Sequence, residues 1–536
     1  MIRTTVLAVL GVTAAFAAAQ PSSVVNGPHN LSAGGPGSIR AVSENEVCIF
    51  CHAPHNASPV KPLWNRVMPV DSYTVYSSRA LDALPGQPTG TSKMCLSCHD
   101  GTIALGLVVS RDAPILMSGG VTTLPEGHGR IGTDLRDDHP ISFAFDSSLT
   151  ARDPKLRSPG ALHSTVKLDS NNELQCTTCH DAHNNMNGDF LVMQNNASQL
   201  CVTCHQVGTT TVTAHTSCSA CHQPHSAPSG PYLLKRATVS DTCLSCHDGT
   251  VPGAANISSD TRKLHNHETN SPVDPSGTPQ QHTNCVSCHD PHTMAPGAAP
   301  APGIHPNFGR IAGVNSSGAP VAAANYEYET CLKCHAEGSI IQPRVPRRIV
   351  QNNTRLEFAT NAVSFHPVMG PGRNPDVPSL RPGWTTSSVM DCSSCHASES
   401  GRSAGGVGPS GTHGSSFPGL LSARYEVADN TSESASVYAL CYKCHDRASI
   451  LNDVSFKGHK KHIVDERAPC AACHDAHGIA SSQGTTTGNS NLINFATTMV
   501  TPSRRTGRLE YRDTGRFRGQ CYLTCHGEDH APESYP

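Results

Sequence analysis

Residues 176–205 read CTTCHDAHNNMNGDFLVMQNNASQLCVTCH. This stretch holds two Cys-x-x-Cys-His copies, a further histidine three residues after the first copy, and one apolar patch, FLVM, between them. Two thiols three residues apart on a helical turn point the same way, and the residue after the second lies beside both. Disulfide frameworks and zinc knuckles use paired cysteines, but neither asks for histidine after every second one. The pattern is the attachment signature of c-type haem. The thiols form thioethers along one porphyrin edge, and the histidine supplies the proximal nitrogen to iron.

All 24 cysteines fall into such copies. Eleven are regular: Cys48, Cys51 and His52; Cys95, Cys98 and His99; Cys176, Cys179 and His180; Cys201, Cys204 and His205; Cys218, Cys221 and His222; Cys243, Cys246 and His247; Cys285, Cys288 and His289; Cys331, Cys334 and His335; Cys392, Cys395 and His396; Cys441, Cys444 and His445; Cys470, Cys473 and His474. The twelfth, CYLTCH, puts one extra residue between Cys521 and Cys525, ahead of His526. About twelve covalent haems with their irons are therefore expected, with the twelve histidines as proximal ligands.

The copies come in doublets, which is an internal repeat. CTTCHDAH…FLVM…CVTCH at 176–205 is matched by CSACHQPH…YLLK…CLSCH at 218–247, both with 25 residues from first cysteine to first cysteine. Longer doublets span 48–99, 285–335, 392–445 and 470–526. The doublet at 392 departs, because CSSCHAS lacks the histidine three residues on. Gly/Pro/Ala-rich stretches at 294–303 and 401–419 read as linkers. The grouping gives a signal peptide at 1–19, a first doublet with a long loop at 20–150, three doublets within 151–335 and two within 336–536.

Only 37% of the residues are hydrophobic and 5% aromatic, against 45 Gly and 40 Pro, which is little from which to build an aliphatic core. Porphyrins would supply the missing apolar mass. The expected fold is mostly irregular chain wrapped around a row of haems, with short α-helices at the CxxCH sites and little β-sheet. The formal charge of −3 excludes a strongly basic nucleic-acid binder. With propionates added it would fall to about −15 oxidised and about −27 reduced. Arg3 followed by an apolar run to Ala19 and the AFAAAQ site reads as a secretory signal, and no other stretch suits a membrane span. Export agrees with haem attachment outside the cytoplasm, in periplasm, at the outer-membrane surface or beyond the cell.

Twelve proximal histidines leave 19 of 31. His55, His183, His225, His292 and His477 each follow a proximal histidine by three residues. Such a residue cannot readily reach the far side of its own iron, but it can reach a neighbour's. His183 is thus expected to bind an iron attached elsewhere and to lock two haems together. His215 and His282 precede Cys218 and Cys285 by three residues, and His459 and His462 stand one turn apart before Cys470. His139 and His366 each precede proline, which stiffens the backbone there. His29, His267, His413 and His530 complete the distal candidates. His128, His163, His265 and His305 are the weakest, and the ten methionines are not needed.

PHNLS at 28–32, CIFCHAPHNAS at 48–58, DHPISF at 138–143, CYKCH at 441–445 and APCAACHDAHG at 468–478 carry a wider resemblance. The chain resembles the multihaem c-type cytochromes with doubled CxxCH motifs, cytochrome c3-like and extracellular electron-transfer cytochromes, over essentially its whole mature length. The resemblance implies bis-histidine, low-spin haems, with His29, His55, His139, His366, His413, His462 and His477 as distal ligands. It implies an electron carrier without catalytic residues, in bacterial respiration, with other cytochromes or redox proteins as donor and acceptor. Members of the family include extracellular haem filaments built by self-assembly, periplasmic shuttles and outer-membrane conduits. The alternative is a multihaem reductase of nitrogen or sulfur oxyanions, which needs one iron with an open position.

Overall fold

Each of the eleven regular CxxCH copies forms a single helical turn. Some are α-helical, as at Cys176–Cys179, Cys218–Cys221 and Cys470–Cys473; others are tighter, as at Cys48–Phe50, Cys285–Ser287 and Cys392–Ser394. The longest, Gly90–His99 and Glu327–His335, run into the motif from its N-terminal side. In nine copies the histidine amide donates to the carbonyl of the first cysteine, closing the turn. The computed structural model describes residues 23–58, 63–208, 210–228, 231–267, 284–337 and 344–535; the expected signal peptide and His282 lie outside them. Among the described residues no helix is long and apolar enough to cross a membrane.

After five of these turns the chain loops out and returns in one repeated clasp. At His180, the next residue, Asp181, donates to the carbonyl of Phe190, and Val192 donates to the carbonyl of Cys179. Leu63, Phe190, Leu233, Leu420 and Leu492 occupy equivalent places in the clasps of His52, His180, His222, His396 and His474. All five are left-handed, with φ between 50° and 62°. That conformation costs an L-residue roughly 1–2 kcal/mol. Its recurrence at apolar positions shows that the surrounding bonds hold it in place. FLVM and YLLK, the apolar patches of the sequence repeat, are two of these clasps.

The apolar interior is divided into small clusters, none with more than six buried residues. The chain forms two compact units, Met1–Gly208 with Ser217–Arg236 and Thr209–Thr216 with Ala237–Pro536. The division falls inside the 151–335 segment of the sequence grouping. Most strands are pairs of two residues each, such as Phe143–Ala144 with Glu173–Leu174.

The C-terminal sequence departs from this plan. Glu510–Gly515, Arg518–Cys525 and Glu528–Tyr535 form an antiparallel sheet, with Val500–Thr501 paired on Cys525 and Thr524. CYLTCH therefore starts on a strand, not on the expected helical turn. Alternation explains it: Tyr511 and Leu523 turn inward on Ala468, Phe495 and Val500, while Arg512, next to Tyr511, is exposed.

In the second unit a buried ion network joins distant segments. Lys263 bonds Asp260 at 2.8 Å and Glu399 at 2.9 Å, and Asp260 is fully buried. The strand pair His265–Asn266 with Gly414–Ser415 lies directly beside it, and His267 and His413 flank that pair. Removing the cation would leave the Asp260 charge unpaired, at a cost of about 3–5 kcal/mol. Lys263→Met is expected to lower the thermal midpoint of the holoprotein markedly, and a second change, Asp260→Asn, to restore part of the loss.

Candidate functional site

No disulfide joins any of the 24 cysteines. The thiols instead approach one another in an alternating order. First cysteines meet first cysteines: Cys95 lies beside Cys176, Cys201 beside Cys218, Cys243 beside Cys285, Cys331 beside Cys392 and Cys441 beside Cys470. Second cysteines neighbour second cysteines: Cys51 with Cys98, Cys179 with Cys204, Cys288 with Cys334, Cys395 with Cys444 and Cys473 with Cys525. Polar bonds fix these junctions. Ser92 accepts from the Cys176 amide at 3.0 Å, Ser198 from the Cys218 amide at 2.7 Å, and Lys333 donates to the Ser287 carbonyl at 2.5 Å.

The histidine rings face each other in pairs of uniform spacing. Ring centres lie 6.1 Å apart for His99 with His29, His52 with His183, His180 with His225, His247 with His215 and His396 with His477. They lie 6.2 Å apart for His205 with His139 and His289 with His413, 6.3 Å for His335 with His267, and 6.4 Å for His445 with His366 and His474 with His459. Imidazole stacking would bring rings closer and would not repeat one distance. Two nitrogens sharing a metal at bonds of roughly 2 Å stand about 4 Å apart, and ring centres, each about 1.1 Å farther out, about 6.2 Å apart. Ten CxxCH histidines thus face a second imidazole at the separation that one iron between them requires, and the donor set fits haem.

In many of these rings Nδ1 is committed elsewhere, which leaves Nε2 for the metal. Nδ1 of His99, His180, His222, His247, His289, His396 and His474 donates to a backbone carbonyl at 2.7–2.9 Å. In the clasps that carbonyl belongs to the residue before the left-handed one, Asp189 at His180 and Gly419 at His396. The facing rings are held likewise: His29 by Ala182, His267 by Thr412 and His366 by Ala476. Two instead donate to carboxylates, His225 to Asp138 at 3.0 Å and His477 to Glu357 at 3.3 Å. Burial pushes His139, His396, His413, His445 and His459 down to about 4. These rings are neutral at neutral pH, the form a metal binds. Burial alone would also lower His477, but its bond to Glu357 raises it.

Expected and observed positions differ at a few residues. His183, His225 and His477 do face histidines of other motifs, each two copies earlier in the chain. The histidine missing from CSSCHAS would by that rule have faced His289, and His413 takes the place. His55 is exposed and faces no second imidazole among the described residues, although it was expected as a distal ligand. Nor do His128, His163, His265 and His305; His305 instead lies within 4.8 Å of Glu327 and Asp391. His292 lies beside Asp290. His526, expected as a proximal ligand, bonds Asp429 through Nε2 at 2.9 and 3.0 Å, and His462 faces His530 instead, at 6.2 Å.

The sequence did not single out Arg66, Asp138 or Glu357 as part of the site. Only Asp138 carried a signal, since it stands in the quoted DHPISF. Arg66 is fully buried and donates to the Ser97 hydroxyl and to the carbonyls of Ser97, Ala104 and Leu105, at 2.8–3.2 Å. It thereby ties the segment after the first motif to the second and lies near both Cys51 and Cys98. Each buried acceptor stripped of its donor costs about 1–3 kcal/mol. Arg66→Met is expected to destabilise the first unit by at least about 3 kcal/mol, measured as a lower thermal midpoint and earlier proteolysis around residues 63–110.

Two family models match the chain. One, the outer membrane cytochrome MtrC/MtrF-like domains II/IV, covers residues 314–485. The other, the doubled CXXCH motif, covers 169–209 and 211–252. No curated protein matches the chain. The second model falls on the repeat quoted at the outset, and the first on the stretch where six of the imidazole pairs draw at least one ring. Motif, ring spacing and both matches agree, and the chain is a multihaem c-type cytochrome that carries electrons.

Proposed function

We propose that the protein binds twelve haems c and works as an electron conduit in bacterial respiration, exported from the cytoplasm and serving extracellular electron transfer. The uniform 6.1–6.4 Å spacing of facing imidazoles carries the reading. Haem held there would supply one-electron chemistry, with the facing imidazoles as the residues that would hold its iron.

The chain's own part is to hold, space and tune. Each helical turn presents two thiols to one porphyrin edge, and each clasp fixes the proximal ring against rotation. The alternating cysteine contacts set the order. Within the first unit the motifs at 48, 95, 176, 201 and 218 follow one another as neighbours in chain order, and so do those from 243 to 521 within the second. His183, His225 and His477 brace a site two steps back, so each stretch of relay is tied across its nearest neighbour. Other redox proteins would serve as donor and acceptor. The reductase alternative needs an iron that lacks a second imidazole.

Mass spectrometry of the exported protein is expected to find twelve haem increments, and in the ferrous protein carbon monoxide is expected to bind at none of the eleven sites with facing imidazoles. His183→Ala should open one carbon monoxide site and leave the haem count unchanged. Uptake by the unaltered protein would favour the reductase, and a count far below twelve would sink the conduit. The carboxylates behind His225 and His477 make those rings more basic ligands, which favours ferric iron. Asp138→Asn is therefore expected to raise the potential of the His180 site by tens of millivolts, seen by redox titration as one component moving upward.

A further inference from the structure

The twelfth motif breaks the pattern of the other eleven in three ways. Its cysteines stand on the strand Arg518–Cys525, its histidine is bonded to a carboxylate, and a different imidazole pair occupies the neighbourhood at the common spacing. Resting on the haem reading above, we propose that the iron of the haem carried on this strand is held by His462 and His530, and that His526 is not a ligand.

The backbone accounts for His526. Cys525 pairs with Glu528, so His526 and Gly527 are the two residues of a hairpin loop. Both have positive φ, 49° and 88°. This is the tight turn whose twist suits a hairpin, usually built by Asn-Gly or Asp-Gly. The ring then leaves the sheet and meets Asp429. The nitrogen that would bind iron, Nε2, is the one that donates to both carboxylate oxygens. In every other motif histidine with a recorded ring bond it is Nδ1 that is engaged.

Strand register accounts for His530. It stands directly opposite Leu523. Opposed residues share a sheet face, and the residues two before and two after Leu523 are Cys521 and Cys525. His530 therefore shares the thiols' face, while His526 does not belong to the strand. From the other side comes His462, on the π-helical turn Lys461–Asp465. Such turns carry one extra residue and re-aim a side chain. His462 Nδ1 donates to the Gly458 carbonyl at 2.6 Å, and His530 Nδ1 bonds the Tyr535 hydroxyl at 3.1 Å. Both rings thus keep Nε2 free, as in the ten regular pairs. Phe456 and Tyr535 close the surroundings, with ring centres 4.6 Å apart.

The two ligand sets are told apart without altering His526. In the holoprotein, His462→Ala and His530→Ala are each expected to create one equivalent of carbon monoxide binding, and the double variant still only one, because both rings serve one iron. The variants His462→Met and His530→Met fill the same space and keep a donor in place. Each should give the near-infrared absorption of a histidine–methionine haem at one site. If only one member of either pair of variants responds, His526 supplies the other ligand and the proposal fails. It fails equally if the double variant takes up two equivalents, or if the peptide beginning at Gly519 carries no haem mass in the unaltered protein. The wider reading fails on a different measurement, the absence of haem from the other eleven motif peptides.

Discussion

Each facing imidazole pair fixes the distance between two segments that no apolar core would hold. Clusters of at most six buried residues cannot organise a chain of this length, and the strands outside the C-terminal sheet are two residues long. What remains constant from pair to pair is a ring separation, and it joins segments as far apart as His289 and His413 or His29 and His99. A separation set by two metal–nitrogen bonds is stiff and directional, where apolar contact is neither. On the haem reading proposed above, the fold is organised by a set of coordination bridges, with polypeptide filling the space between them.

The clasps show how the chain meets that demand at the proximal side. A ring that must face an iron needs its other nitrogen fixed, and a carbonyl is the nearest acceptor. Bringing that carbonyl under the ring requires a sharp reversal two residues before the chain rejoins the motif, and Leu63, Phe190, Leu233, Leu420 and Leu492 make it in a left-handed conformation. Glycine would do so without strain. An apolar side chain at that place can cover a porphyrin face as glycine cannot, which is reason enough to tolerate the conformational cost. The same requirement is met differently where no clasp exists: Ser379 bonds Nδ1 of His445 through its hydroxyl.

Much of this was legible in the sequence, and the parts that were not have a common cause. The cysteines, the proximal histidines and the short turns were legible because their spacing is local. So was the place of His183 opposite a histidine of another motif, since a residue three positions on cannot reach its own iron's far side. Which distant histidine faces which site was not, because those pairings are set by loops of dozens of residues with no periodic pattern. His55 has the same local context as His183 yet faces no imidazole among the described residues, since no site lies two copies before it. The left-handed clasps were visible only as apolar patches. The C-terminal sheet was missed because CYLTCH was read by analogy with its neighbours, although the alternation in EYRDTG and the His-Gly pair pointed to a hairpin.

The departures also show which constraint yields when two conflict. At 392 the motif lacks its downstream histidine, and the loss would fall two copies earlier, at His289. A ring from the Gly/Ser-rich 401–419 region, His413, stands there instead, and the strand pair of Gly414–Ser415 with His265–Asn266 holds it. At 521 the motif's own histidine is taken by a turn, and two rings from elsewhere meet at the common spacing. In both cases the sequence pattern around the iron changed while the two-imidazole geometry did not. The chain is free in where it draws its rings and constrained in how far apart they stand, so a histidine's assignment follows from the ring it faces better than from the motif it belongs to.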